Sequence, residues 1–168
     1  GHYRRGTELA PDAVEPLNNL GLLVVGQGAF DEAIPLFRQA LAVAPDFADA
    51  HTNLGSALQQ TGAFDEALTH FRRAAELLPE SASAQNDLGM ALGDQQALDE
   101  ATALFRRAIE IDRTFIDAYR NLAMVFQLLG QPAEAIAQYR AILEIAPGSA
   151  SAHFDLGNLL VQQNELDD

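Results

Sequence analysis

An amide or a carboxylate returns every 34 residues in this 168-residue chain: Asn19, Asn53, Asp87, Asn121 and Asp155. An Asn side chain carries both donor and acceptor groups, the complement of the N–H and C=O of an extended peptide. A regular ladder of such groups suits binding through a polypeptide backbone, with side-chain pockets adding preference. Other chemistry has less to stand on. Of the four His, His51 and His153 occupy one repeat position three periods apart, too far to share a metal ion, and His2 and His70 complete no ligand spacing. No HExxH, Gly-rich phosphate loop or GxSxG occurs. Most acids fall at expected helix starts, such as the pairs Asp31-Glu32, Asp65-Glu66 and Asp99-Glu100, where they complement the helix dipole. No catalytic residue, metal site or cofactor is expected.

Charge narrows the partners. The net charge is −14, there is no Lys, and every basic residue is Arg. Such a surface repels nucleic-acid phosphates and anionic membranes and favours a neutral or basic protein segment. Eight of the Arg form a stripe: Arg4, Arg5, Arg38, Arg72, Arg73, Arg106, Arg107 and Arg140. It reads as a basic track or as internal pairing, and the i, i+4 matches Arg4–Glu8, Arg72–Glu76, Arg106–Glu110 and Arg140–Glu144 favour the second. The absence of Cys excludes disulfides and thiolate metal sites. No apolar run approaches the ~20 residues of a membrane span, and "GHYRRGTELAP" lacks a signal-peptide core. A soluble chain is expected, with the cytoplasm as its compartment.

The elements that must position the ladder follow from the same period. Leu20, Leu54, Leu88, Leu122 and Leu156 recur every 34 residues, as do Ala33, Ala67, Ala101, Ala135 and the aromatics Phe37, Phe71, Phe105, Tyr139. Within a period the apolar spacing is helical: Leu54 and Leu58 make one stripe, and Ala67, Phe71, Ala74 and Leu78 a second. Between them Gly62 suits a left-handed helix terminus, and Pro45 and Pro79 close the second helix. Each period is a helix–turn–helix hairpin too small to bury its own apolar faces, so the hairpins must stack. Small residues at Gly21, Gly55, Gly89, Ala123 and Gly157 let paired helices approach closely, and the aromatics fill the space between.

At these residues the chain resembles the tetratricopeptide repeat family: Leu-Gly/Ala in the first helix, a turn Gly, Ala and an aromatic in the second, and a terminal Pro. The resemblance implies an all-α, right-handed superhelical solenoid. Its expected divisions are 1–13 as the end of a preceding repeat, repeats at 14–47, 48–81, 82–115 and 116–149, and 150–168 as the first helix of a fifth. Two positions depart from the family. Its frequent Trp is replaced by Leu17, His51, Gln85, Tyr119 and His153, read as rings or chains packed in that slot. In the third repeat Gln96 stands for the turn Gly and Arg113 for the closing Pro. That repeat is expected to turn differently or to be the softest.

The resemblance further implies that first helices line a concave groove. Asn19, Asn53, Asp87, Asn121 and Asp155 then face it, with Asp49, Gln59, Asn86, Arg120 and Met124 beside them. This ladder is similar to the asparagine ladder in the tetratricopeptide arm of O-GlcNAc transferases. A clamp for an acidic C-terminus is not expected, since only Arg120 occupies a suitable position. The leading expectation is a non-enzymatic scaffold holding a partner peptide. Alternatives are the substrate arm of a larger enzyme or a structural solenoid that self-associates end to end. "YRRGTELAP" (Tyr3–Pro11) matches the back half of a repeat and "NELDD" follows only a first helix. The sequence thus reads as an excised piece of a longer array.

Overall fold

A computed structural model describes residues 14–167, with side chains described for 14–163. The segment 1–13, with the helix tail Tyr3–Pro11, His2 and the pair Arg4–Glu8, lies outside the described residues. Those residues form nine helices and no strand: α1 (Val14–Val25), α2 (Phe30–Val43), α3 (Ala48–Gln60), α4 (Phe64–Leu77), α5 (Ala82–Asp94), α6 (Leu98–Ile111), α7 (Ile116–Leu128), α8 (Pro132–Ile145) and α9 (Ala150–Asp167). They fall into two compact units, one closing at Pro79 and the other opening at Glu80. The first holds α1–α4 and the second α5–α9. In each unit every helix packs on its chain neighbours, and first helices also touch, α1 on α3 and α5 on α7.

The close contact inside each hairpin joins a glycine to an aromatic ring. Phe37, Phe71, Phe105 and Tyr139 are all buried, each contributing roughly 1.5–3 kcal/mol of burial. The rings of the three Phe lie on Gly21, Gly55 and Gly89. A methyl group built on Gly89 would stand 2.7 Å from Phe105 Cε1, and one on Gly55 would stand 3.0 Å from Phe71 Cε1. A side chain at Gly89 would force a neighbour to shift, and one at Gly55 would require the ring to give by a few tenths of an ångström. The fourth period carries Ala123 and Tyr139 at the two positions, both buried.

The helix starts have little capping. Ala29, Ala63 and Ala97 precede α2, α4 and α6 without a side-chain cap, and each of those helices carries an Asp-Glu pair in its first turn. The acids therefore provide the complement to the helix dipole. The turns between paired helices are all alike. Gly28, Gly62 and Gly130 adopt φ of 76°, 84° and 69°, and Gln96 adopts 62°. The same closing bond follows each: Ala29 N–H to Val24 O, Ala63 to Leu58, Ala97 to Leu92 and Gln131 to Phe126. Thus the third repeat does not turn differently, because the i−5 hydrogen bond imposes the left-handed conformation even on a residue with a Cβ. Its closing Pro is replaced by another device. Asp112 Oδ1 accepts from the Thr114 N–H at 2.8 Å and from its hydroxyl at 2.7 Å, fixing the chain as an Asx turn does. These bonds hold the Asp112 carboxyl below its ordinary range.

The Arg stripe is paired, but not as its i, i+4 spacing suggests. Arg73 bridges Asp46 at 2.5 Å and Glu76 at 2.9 Å, Arg107 bridges Glu80 at 2.6 Å and Glu110 at 3.4 Å, and Arg38 reaches Glu66 at 2.7 Å. Among the described residues Arg72–Glu76, Arg106–Glu110 and Arg140–Glu144 form no ion pair. An acid in the turn before the first helix draws the second Arg of each pair, whose other nitrogen then meets the Glu at i+3. Arg106 instead lies over the Phe126 ring, 5.9 Å from its centre. All these ion pairs are solvent-exposed, so each contributes only a few tenths of a kcal/mol.

Gln96→Gly should stabilise the protein by about 0.5–1 kcal/mol, the relief of a left-handed side chain less the entropy of a glycine. Urea denaturation checks this; a loss of stability would show that the Gln96 side chain makes a favourable contact.

Candidate functional site

The first helices carry the amide ladder, and their stacking consumes part of it. Asn53 Nδ2 on α3 donates to Asn18 Oδ1 on α1 at 2.9 Å, and Asn121 Nδ2 on α7 donates to Asn86 Oδ1 on α5 at 2.8 Å. Asn18 and Asn86 are 5% and 4% exposed. Each acceptor would be costly to leave without a partner. The two pairs stand 68 residues apart, two periods, because position 18 of the repeat is Asn in alternate hairpins and Thr52 or Arg120 between them. Asn53 and Asn121 thus face two ways: one N–H is spent on the neighbouring helix, and among the described residues the Oδ1 has no hydrogen-bond partner.

Beside these rungs lie two cavities, one in each unit. In the first unit Leu22, Val25, Phe30, Phe37, Asn53, Ser56, Ala57 and Gln60 enclose about 390 Å³. Buried Phe37 and Ala57 form its floor, and exposed Leu22, Ser56 and Gln60 its rim. In the second unit Arg120, Met124, Gln127, Tyr139, Asp155, Asn158, Leu159 and Gln162 enclose about 330 Å³. Adding 102 to seven of the first set, three periods, gives seven of the second: 22 becomes 124, 25 becomes 127, and 37, 53, 56, 57 and 60 become 139, 155, 158, 159 and 162. One architectural site is thus written in two chemistries, apolar-walled in the first unit and polar in the second. In the second, Gln127 Nε2 donates to Tyr139 Oη at 3.2 Å, and Arg120 is held by Asp117 at 2.8 Å. Burial pushes the Tyr139 phenol up; the Asp155 charge adds to this, and the Gln127 bond and Arg120 oppose it.

The residues singled out in the sequence are divided by this geometry. Asn53 lines the first cavity, and Arg120, Met124 and Asp155 line the second. Asn86 is buried under Asn121 and presents nothing to a ligand directly. Half-buried Asp87 lies beside it; burial raises its carboxyl above the ordinary range, and hydrogen bonds with Asn86 and Ser83 draw it back. Asn19, Asp49 and Gln59 lie outside both cavities. Sequence reasoning missed Leu22, Val25, Asn158 and Gln162 and assigned Phe37 and Tyr139 to packing alone. The period held the signal, since Phe37 and Tyr139, three periods apart in the aromatic ladder, line the two cavities.

Three of the five Trp-slot residues share one task. His51 Nε2 bonds the Pro45 carbonyl at 2.8 Å, Tyr119 Oη donates to the Arg113 carbonyl at 3.2 Å, and His153 Nε2 bonds the Pro147 carbonyl at 2.9 Å. Each ties a first helix to the carbonyl six residues earlier. The buried His51 also bonds His70, Nδ1 to Nδ1 at 2.9 Å. With His51 donating from Nε2 to Pro45, its Nδ1 must accept from His70. His70 Nε2 then faces Glu66 at 3.9 Å, itself gripped by Arg38. Burial first, then His51 and Arg38, lowers the affinity of His70 for a proton, while Glu66 raises it.

Three sequence models of the tetratricopeptide repeat match the chain, one over residues 18–81 and 59–114, the others over 104–137 and 127–168. The chain belongs to the tetratricopeptide repeat family, an all-α helical-repeat fold that serves protein–protein interaction. No curated protein matches it. Among solved structures it is similar to MamA, at 26% identity and a TM-score of 0.80, covering 89% of this chain and 87% of that one. It is similar to YrrB, described as a repeat protein with an unusual peptide-binding site, at 21% identity and a TM-score of 0.78, covering 98% and 84%. It is also similar to pilF of Pseudomonas aeruginosa, at 24% identity and a TM-score of 0.82, covering 90% and 69%. Among the described residues no helix is long and apolar enough to cross a membrane, and no cluster of three or more His, Asp or Glu is placed to hold a metal ion.

Asn53→Ala leaves the buried Asn18 oxygen unpaired and should cost about 1–3 kcal/mol in denaturant unfolding, whereas Asn19→Ala should stay within about 0.5 kcal/mol. Equal effects would mean that the Asn18–Asn53 bond contributes nothing. Acid should also destabilise the first unit. The folded-state value of His70 is lowered, so the unfolded chain takes up the extra proton. Stability is complete above the unfolded value of 6.5 and falls as pH drops from there towards the folded value. Between pH 7.5 and 5 the wild type should lose more melting temperature than His70→Gln; parallel losses would place the acid sensitivity elsewhere.

Proposed function

We propose that the protein is a non-enzymatic scaffold that holds a segment of a partner polypeptide at the first helices of a unit. The observation that carries this reading is the recurrence of one cavity at one register, three periods apart, each beside an Asn or Asp of the ladder. A hydrogen-bonding rung next to a side-chain pocket is the arrangement that binds an extended peptide through backbone and side chain together. The cavities, about 390 and 330 Å³, are at the small end of ligand sites and have room for a side chain. A similar structure described as having a peptide-binding site adds support. The net charge of −14 favours neutral or basic segments. The buried Asn18 and Asn86 weigh against a close parallel with the asparagine ladder of a glycosyltransferase arm, because half of each paired rung is spent on stacking.

The test is selection of binders from a displayed library of random linear peptides. Ser56→Arg and Asn158→Trp, both at exposed positions, should block the two cavities without lowering the melting temperature. Selected peptides should lose at least about tenfold in affinity to one variant or the other. Binders indifferent to both would move the site away from these helices.

A further inference from the structure

We infer that the second-unit cavity selects an Arg or Lys side chain of a segment bound there, while the first-unit cavity takes an apolar side chain of a segment bound to that unit. This rests on the peptide-binding reading and adds the chemistry of its ligand. Against the first cavity, six of the seven register-matched residues differ: Met124 for Leu22 and Leu159 for Ala57 stay apolar, Asn158 for Ser56 stays polar, and polarity is added by Gln127 for Val25, Tyr139 for Phe37 and Asp155 for Asn53. Only the last brings a charge, and among the described residues Asp155 forms no ion pair. Arg120, the cation lining the same cavity, already has Asp117 at 2.8 Å. Asp117, Arg120 and Asp155 together therefore leave one negative charge unbalanced at the cavity.

The surroundings suit a cationic guest. Asp155 is half-buried, so its charge is screened less than one on the open surface. The Tyr139 phenol responds to that charge, which places the carboxylate within electrostatic reach of the cavity floor. Tyr139 Oη, at 3% residue exposure, and the side-chain oxygens of Gln162 and Asn158 offer further acceptors, and a guanidinium or ammonium is donor-only. The first cavity lacks any charged lining residue, so burying a guest's charge there would go uncompensated. An apolar guest side chain meets Leu22, Val25, Phe30 and Phe37.

The experiment is the random peptide library selected at pH 7 and low salt against the wild type, Asp155→Asn, Asp155→Arg and Ser56→Arg, with each variant's fold confirmed by circular dichroism and melting. Wild type should enrich Arg or Lys at one position of its binders. Those binders should weaken about tenfold on Asp155→Asn, the loss of one partly buried charge pair, and Asp155→Arg should replace the preference by Asp or Glu. Ser56→Arg should remove an apolar preference and leave the basic one in place. Binders blocked by Asn158→Trp but enriched in Arg or Lys equally with Asp155→Asn would overturn the inference alone, assigning any basic preference to overall charge. Failure to obtain binders sensitive to either cavity would overturn the underlying reading as well.

Discussion

The distance between paired helices is set by an aromatic ring lying on a glycine. Gly21 meets Phe37, Gly55 meets Phe71 and Gly89 meets Phe105, and each ring is almost wholly buried. A methyl group at Gly21 or Gly89 would force a neighbour to shift, and one at Gly55 would press the ring by a few tenths of an ångström. The same ring fixes what lies on the far side of the contact. Phe37 is at once the filler between α1 and α2 and the floor of the cavity shared with α3. Packing and candidate binding surface are therefore one constraint seen from two sides. A ring that serves both cannot be changed for one purpose without consequences for the other, and Tyr139 shows the change that is tolerated. It keeps the ring buried and adds a hydroxyl where Gln127 can donate to it.

Much of the fold was legible because the chain repeats. A 34-residue period in Leu, Ala and aromatics, with Gly and Pro at the joints, leaves few alternatives to stacked helical hairpins. Gln96 shows where such reading stops. A Gln at a glycine position suggests a different turn, yet the hydrogen bond from Ala97 to Leu92 repeats the one made by its three counterparts. Backbone bonding at a helix terminus outweighs the ~1–2 kcal/mol preference of a single side chain. The Arg stripe stops it in another way. Sequence spacing offered i, i+4 partners for Arg72 and Arg106, but it cannot show that Asp46 and Glu80 reach the neighbouring Arg73 and Arg107 from 27 residues away.

The candidate site was legible as a ladder and illegible as a set of pockets. Asn53 and Asp155 could be picked out because amides and carboxylates recur at one register. Leu22, Val25 and Gln162 could not, since a lining residue of either polarity looks like an ordinary helix residue until its neighbours are known. The Asn pairs were hidden for a related reason. Asn18 and Asn86 stand next to the ladder in sequence, but only the stacking of α1 on α3 and α5 on α7 shows that they are buried acceptors. Their alternation with Thr52 and Arg120 means that the repeats are equivalent in fold but not in how their amides are used.

That inequality bears on how a repeat protein acquires a particular ligand. The contacts that define the hairpin are confined to a few positions, and the rest of the period is free to vary. Seven of the eight residues around each cavity share register with the other, yet one set presents Leu, Val and Phe and the other Met, Gln, Tyr and Asp. Such changes leave a buried ring at the centre of each hairpin and the turn bonds in place. They alter what fits between the first helices. What each cavity can admit is therefore set by those few lining positions and not by the fold.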